Sequence, residues 1–136
     1  MTLFRPVGLK ELELIAEAGW REFPPRLPWQ PIFYPVLNFE YAAQIASEWN
    51  TKDENSAYCG FVTQFDVADA FVSRYDVQVV GTKGHQELWV PAEDLAELNA
   101  HIEAPIAVLA SYFGESFSGT VDRDTELPTS VVPPAS

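Results

Sequence analysis

In the run Ala57-Tyr58-Cys59-Gly60-Phe61-Val62-Thr63-Gln64-Phe65-Asp66-Val67, Cys59, Phe61, Thr63, Phe65 and Val67 fall on one face of an extended chain. Gly60, Val62 and Gln64 fall on the other. A period of two sustained over this stretch predicts a β-strand. Upstream, the polar stretch Asn50 to Ser56 reads as a turn. Before it, Tyr41, Ala42, Ile45, Ala46 and Trp49 recur at helical spacing behind Asn38, a good N-cap residue. Trp49 is expected in the core and Asn50 as the C-terminal cap of that helix. Ile32 to Leu37 reads as a second strand, which Pro35 restricts to an edge or a strand end.

Further upstream, Trp20 to Pro31 contains Pro24, Pro25, Pro28 and Pro31 and so cannot be helical. Its aromatics predict an ordered loop packed on the body. Leu9, Leu12, Ile15 and Ala16 form the apolar stripe of a first helix, with Gly19 as its stop signal, and Thr2 to Val7 is a first strand. Downstream, Ala68 to Tyr75 allows a short helix. Val77 to Gly81 and Gln86 to Val90 flank the turn Thr82-Lys83-Gly84 and predict a hairpin. Pro91 opens another helix, with Leu95, Leu98 and Ile102 on its apolar side. Ile106 to Phe113 is apolar with a period that fits strand or helix. The expected architecture is α+β: a small, mostly antiparallel sheet with flanking helices. Residues 1–114 form one domain, and residues 115–136, an acidic segment rich in Ser, Thr and Pro, are expected to be a disordered tail.

A chain of 136 residues holds one domain with a proper core. Its net charge of −12, with only eight Lys and Arg, argues against nucleic acid as a partner. An acidic surface keeps the chain soluble and suits a basic protein partner. Cys59 is the lone cysteine, so no internal disulfide forms, and its apolar setting predicts a buried, inert thiol. No metal site is expected, because His85 and His101 are the only histidines and no ligand spacing surrounds them. No Gly-rich phosphate loop follows a strand, which excludes Rossmann and P-loop folds. The first residues lack a basic segment followed by an apolar run, and nothing approaches a membrane span. No membrane association and a cytoplasmic location are expected.

Three polar or aromatic residues stand on segments that otherwise read as core strands. On Gln86 to Val90, alternation sends Leu88 and Val90 to the core and Glu87 and Trp89 to the other face. Glu87 is either a solvated strand charge or a carboxylate placed to hold a ribose hydroxyl and offset positive charge at an anomeric carbon. Arg5 either pairs with one of the chain's carboxylates or grips a diphosphate. Tyr34 either packs as a half-buried strand residue or stacks on a ligand ring. His85, two residues before Glu87, belongs to the hairpin surface or to the same face as Glu87.

The runs Leu3-Phe4-Arg5-Pro6-Val7-Gly8, Ile32-Phe33-Tyr34-Pro35-Val36-Leu37-Asn38 with Tyr41-Ala42, Ile45-Ala46 and Trp49-Asn50, and Glu87-Leu88-Trp89-Val90-Pro91 resemble short bacterial proteins labelled ADP-ribosylation/crystallin. More broadly they are similar to the ADP-ribosyltransferase-like fold, over roughly Thr2 to Phe113. The resemblance implies NAD as substrate. It implies that Arg5 anchors the dinucleotide, Tyr34 stacks at the nicotinamide end and Glu87 stabilises an oxocarbenium-like transition state. Asn38, Trp89 and His85 complete the implied NAD-binding set, and ADP-ribose would pass to a protein or other acceptor. Tyr34-Pro35 stands where arginine-modifying relatives carry a Ser-Thr-Ser-type run, and His85 where they carry a second acidic residue. Both are departures from the family pattern, and the missing acidic residue argues against arginine as the acceptor. The competing expectation is a non-catalytic acidic module, of inhibitor or immunity type, that blocks a basic protein.

Overall fold

The computed structural model describes residues 1–82 and 84–134. The strand predicted from the alternating run is β3 (Cys59–Asp66), and it lies between β1 (Thr2–Val7) and β7 (Ala107–Phe113), antiparallel to both. This central position explains a departure from simple alternation. Cys59 through Thr63 are all buried, because both faces of the strand are covered. The undecided run Ile106–Phe113 is a strand from Ala107, with Leu109 as the extra residue of a bulge opposite Val62 and Thr63.

The helices fall near where the periodicity puts them. They are α1 (Leu9–Glu17), α2 (Phe39–Glu48), the short α3 (Asp69–Val72) and α4 (Leu95–Ala100). The exception is Pro91, expected to open the last one. It pairs with Ile32 in a short strand because its ring leaves the carbonyl free to accept, and a 3-10 turn at Ala92–Asp94 precedes the helix. Asn38 caps α2, its Oδ1 accepting from the Tyr41 N–H at 2.7 Å. Ala42 and Ala46 press α2 onto Phe4, Val36, Val62 and Ala110 on one sheet face. The approach is close enough that a Cβ on Gly60 would lie 2.5 Å from the Ala46 carbonyl oxygen. The other face carries the larger core, with Leu3, Val7, Phe61, Phe65 and the α1 residues Leu12 and Ile15. Phe23, from the proline-rich loop, packs there on Phe33 and Phe65.

The predicted hairpin is β4 (Val77–Val79) against β5 (Gln86–Leu88); Lys83 of its turn lies outside the described residues. A second pair, β2 (Ile32–Phe33) and β6 (Val90–Pro91), continues the same register. Ile32 faces Pro91, Phe33 faces Val90 and, past the gap at Tyr34-Pro35, Val36 faces Glu87. Val36 also bridges to Phe4, with Phe4 N–H to Val36 O at 2.9 Å and Val36 N–H to Phe4 O at 2.7 Å. These bridges stitch the hairpin to β1.

The segment after Gly114 differs from the expected disordered tail. Leu127 and Val131 are buried in the main core, Val121 bridges to Pro128, and the Trp20 Nε1–H donates to the Val132 carbonyl at 3.0 Å. Two spaced aliphatic residues anchor a segment that is otherwise mostly exposed. Ala135 and Ser136 lie outside the described residues. No helix among the described residues is long and apolar enough to cross a membrane.

Candidate functional site

Only Phe4 of β1 bridges to Val36; Arg5, Pro6 and Val7 pair with β3 alone. The strand leading to Val36 diverges from β1 there, and a cleft of about 850 Å³ opens along the unpaired edge. Arg5 through Gly8 form one wall. Lys10, Glu11 and Leu14 of α1, the loop residues Pro24 to Leu27, and Tyr34 line it as well. Gln30, Val36, Ile45 of α2, Trp49 at its C-cap, the turn residues Asn50, Asp53, Asn55 and Ser56, and Glu87 complete it. The cleft therefore brings together Arg5, Tyr34 and Glu87. Asn38, His85 and Trp89 do not line it.

Arg5 and Glu87 reach the cleft from opposite faces of the sheet. Phe4, Val36 and Glu87 oppose one another directly, so they share a face, and Arg5 follows Phe4 onto the other. Arg5 is 8% exposed, and a buried guanidinium requires compensation. Glu11 supplies it through a two-point fork, Nε to Oε2 at 2.7 Å and Nη2 to Oε1 at 2.9 Å. The guanidinium also sits 4.5 Å from the Phe33 ring centroid. Nη1 keeps only a long bond, 3.5 Å, to the Tyr34 carbonyl. Burial, with Arg5 close by, holds the nearby Arg26 guanidinium below its usual range.

Glu87 belongs to a chain of polar and aromatic contacts on the α2 face. Its Oε2 accepts from the Tyr41 hydroxyl at 2.5 Å and its Oε1 from the Trp89 Nε1–H at 3.0 Å. Burial, followed by the bond to Glu87, pushes the Tyr41 phenol up to about 12. His85 stacks flat on Tyr41 with centroids 4.2 Å apart and lies 3.2 Å from Gln44 Oε1 through its Nε2. Tyr34 meets Trp89 edge-on at 6.5 Å. Asn38 Nδ2 donates to the Gly84 carbonyl at 2.7 Å, tying the helix cap to the hairpin turn. The spacing on which Glu87 and Trp89 are expected to face away from Leu88 and Val90 matches the observed burial.

Two residues escape the sequence reading. Tyr41 is expected in the apolar stripe of α2, yet its hydroxyl holds Glu87. The signal for it is weak: a tyrosine one turn into a helix that follows the second strand. Trp49 is expected in the core and instead stands 60% exposed in the cleft, while its neighbour Asn50 is buried with Oδ1 unpartnered among the described residues. Cys59 is fully buried, and burial, with Glu13 nearby, raises its thiol to about 11, which suits an inert core residue. No family model, curated protein or solved structure matches this chain.

Proposed function

We propose that this chain is an ADP-ribosyltransferase-like protein that takes NAD into the cleft and transfers ADP-ribose to an acceptor. The supporting observation is that Arg5, Tyr34 and Glu87, drawn from three distant segments, line one cleft large enough for a dinucleotide. Three cationic side chains, Arg5, Lys10 and Arg26, line it beside the carboxylates Glu11, Asp53 and Glu87; Glu11 already engages Arg5, which leaves Lys10 and Arg26 to meet a ligand phosphate. In the transfer, the bond from ribose C1′ to nicotinamide breaks, and its electron pair leaves on the nicotinamide nitrogen. An acceptor nucleophile forms the new bond at C1′ and gives up its proton. The Glu87 carboxylate accepts from a ribose hydroxyl and offsets the charge developing at C1′. The bonds from Tyr41 and Trp89 hold it in place for that role.

Calorimetric titration of NAD into folded wild-type protein, Arg5→Lys and Glu87→Gln tests this. Saturable binding is expected, weaker by about tenfold in Arg5→Lys, which keeps the charge but loses the fork. Nicotinamide release is expected from the wild type and not from Glu87→Gln. Absence of binding at millimolar NAD would overturn the proposal. A second reading, a non-catalytic acidic module on the same frame, is favoured by one observation: Arg5 and Glu87 are both satisfied within the chain. It predicts no NAD binding and capture of a basic protein that Glu87→Gln leaves intact.

A further inference from the structure

We infer that the Trp49 end of the cleft is a purine platform, on which Trp49 stacks an adenine base and Asn55 reads its edge. This rests on the nucleotide reading of the cleft and adds to it the position and selectivity of the base. The cleft has two distinguishable ends. Arg5 lies at one, its Nη1 against the Tyr34 carbonyl. Gly8 lies at the other, so near Ser56 that an added Cβ would fall 2.6 Å from the Ser56 Cα. Three residues of strand separate them, about 10 Å at the usual rise per residue. That span separates Tyr34 and Arg5 from the turn that follows α2.

Trp49 stands at this second end, at the C-cap of α2, and Ile45, one turn earlier, also lines the wall. An indole left 60% exposed at the side of a concave cleft offers a flat apolar face that the fold does not use. Base–aromatic stacking needs just such a face. The following turn is held firmly: Asn50 Nδ2 donates to Ser56 Oγ at 2.9 Å, and Ser56 Oγ donates to Asp53 Oδ2 at 2.7 Å. Asn55 sits on that turn, anchored through its backbone N–H to Asp53 Oδ1 at 3.3 Å. Its side-chain amide is exposed and makes no hydrogen bond among the described residues. An asparagine amide matches the N6 amine and N7 acceptor of adenine by donating one bond and accepting the other. Hypoxanthine, with a carbonyl in place of the amine, cannot satisfy both.

Titrations of ADP, IDP and nicotinamide mononucleotide into the wild type, Trp49→Ala, Trp49→Phe and Asn55→Ala decide the matter. Trp49 and Asn55 are both exposed, so these variants keep the core intact. ADP affinity is expected to fall about tenfold in Trp49→Ala and to recover in Trp49→Phe. ADP is expected to bind more tightly than IDP in the wild type, a preference that Asn55→Ala removes. The affinity of nicotinamide mononucleotide should be unchanged in Trp49→Ala. ADP binding indifferent to Trp49→Ala, or no ADP binding at all, would overturn the platform. Should ADP depend on Trp49 while nicotinamide mononucleotide fails to bind, the platform stands and the transferase reading falls. Should nicotinamide mononucleotide bind in a Glu87-dependent way while ADP ignores Trp49, the transferase reading stands and the platform falls.

Discussion

Two phenols titrate late for the same physical reason. Tyr41 donates to Glu87 at 2.5 Å and Tyr75 to Asp94 at 2.7 Å. Burial first, and the carboxylate partner second, pushes each up to about 12 from an ordinary value near 10. Both folded-state values lie above the unfolded ones. The stability they contribute is therefore fully present below about pH 10 and is lost as pH rises through about 12. An ultraviolet absorbance titration should show a late-ionising phenol component, and Tyr41→Phe should remove part of it. Loss of the Tyr41–Glu87 bond should also cost about 1 kcal/mol in urea unfolding. Arg5 shows what sequence leaves open at this scale. Its inward direction follows from alternation with Leu3 and Val7, but the choice of Glu11 from twenty carboxylates required the first turn of α1 to fold back beside β1.

At the scale of elements, the contact between α2 and β3 is set by small residues. Gly60, Ala42 and Ala46 let the helix approach until backbone meets backbone. Gly60→Ala would place its methyl carbon 2.5 Å from the Ala46 carbonyl and 2.7 Å from Asn50 Cβ. It should lower stability by about 2 kcal/mol, read as an earlier urea midpoint. If α2 could move away freely, the midpoint would hardly change. The same contact turns Trp49 outward. Ala42 and Ala46 face the sheet, whereas Trp49, at the C-cap of the helix, stands exposed in the cleft and its neighbour Asn50 takes the place over Gly60. A periodicity argument places it on the apolar stripe. It cannot tell which segments stand beside that stripe.

Across the whole molecule, the C-terminal segment closes the main core. Leu127 and Val131 are buried there and Trp20 donates to Val132. Removing residues 115–136 should therefore destabilise the chain by about 3 kcal/mol or more, from two lost aliphatic side chains and a newly wetted tryptophan. A thermal melt of the truncated chain checks this, and an unchanged midpoint would mean that the segment contributes nothing.

Local pattern alone determined the α+β class, the order of elements from β1 to β5, the Asn38 cap, the hairpin, and the split of Glu87 and Trp89 from Leu88 and Val90. Each of these depends on a residue and its near neighbours, and a period of two or of 3.6 records it. The tertiary structure alone decided the divergence of β1 from the Tyr34 strand, the pairing of Tyr41 with Glu87 across 46 residues, the outward turn of Trp49 and the docking of Leu127 and Val131. Such features depend on which distant segment occupies the space beside a residue, and periodicity carries the direction of a side chain but not the identity of what it meets.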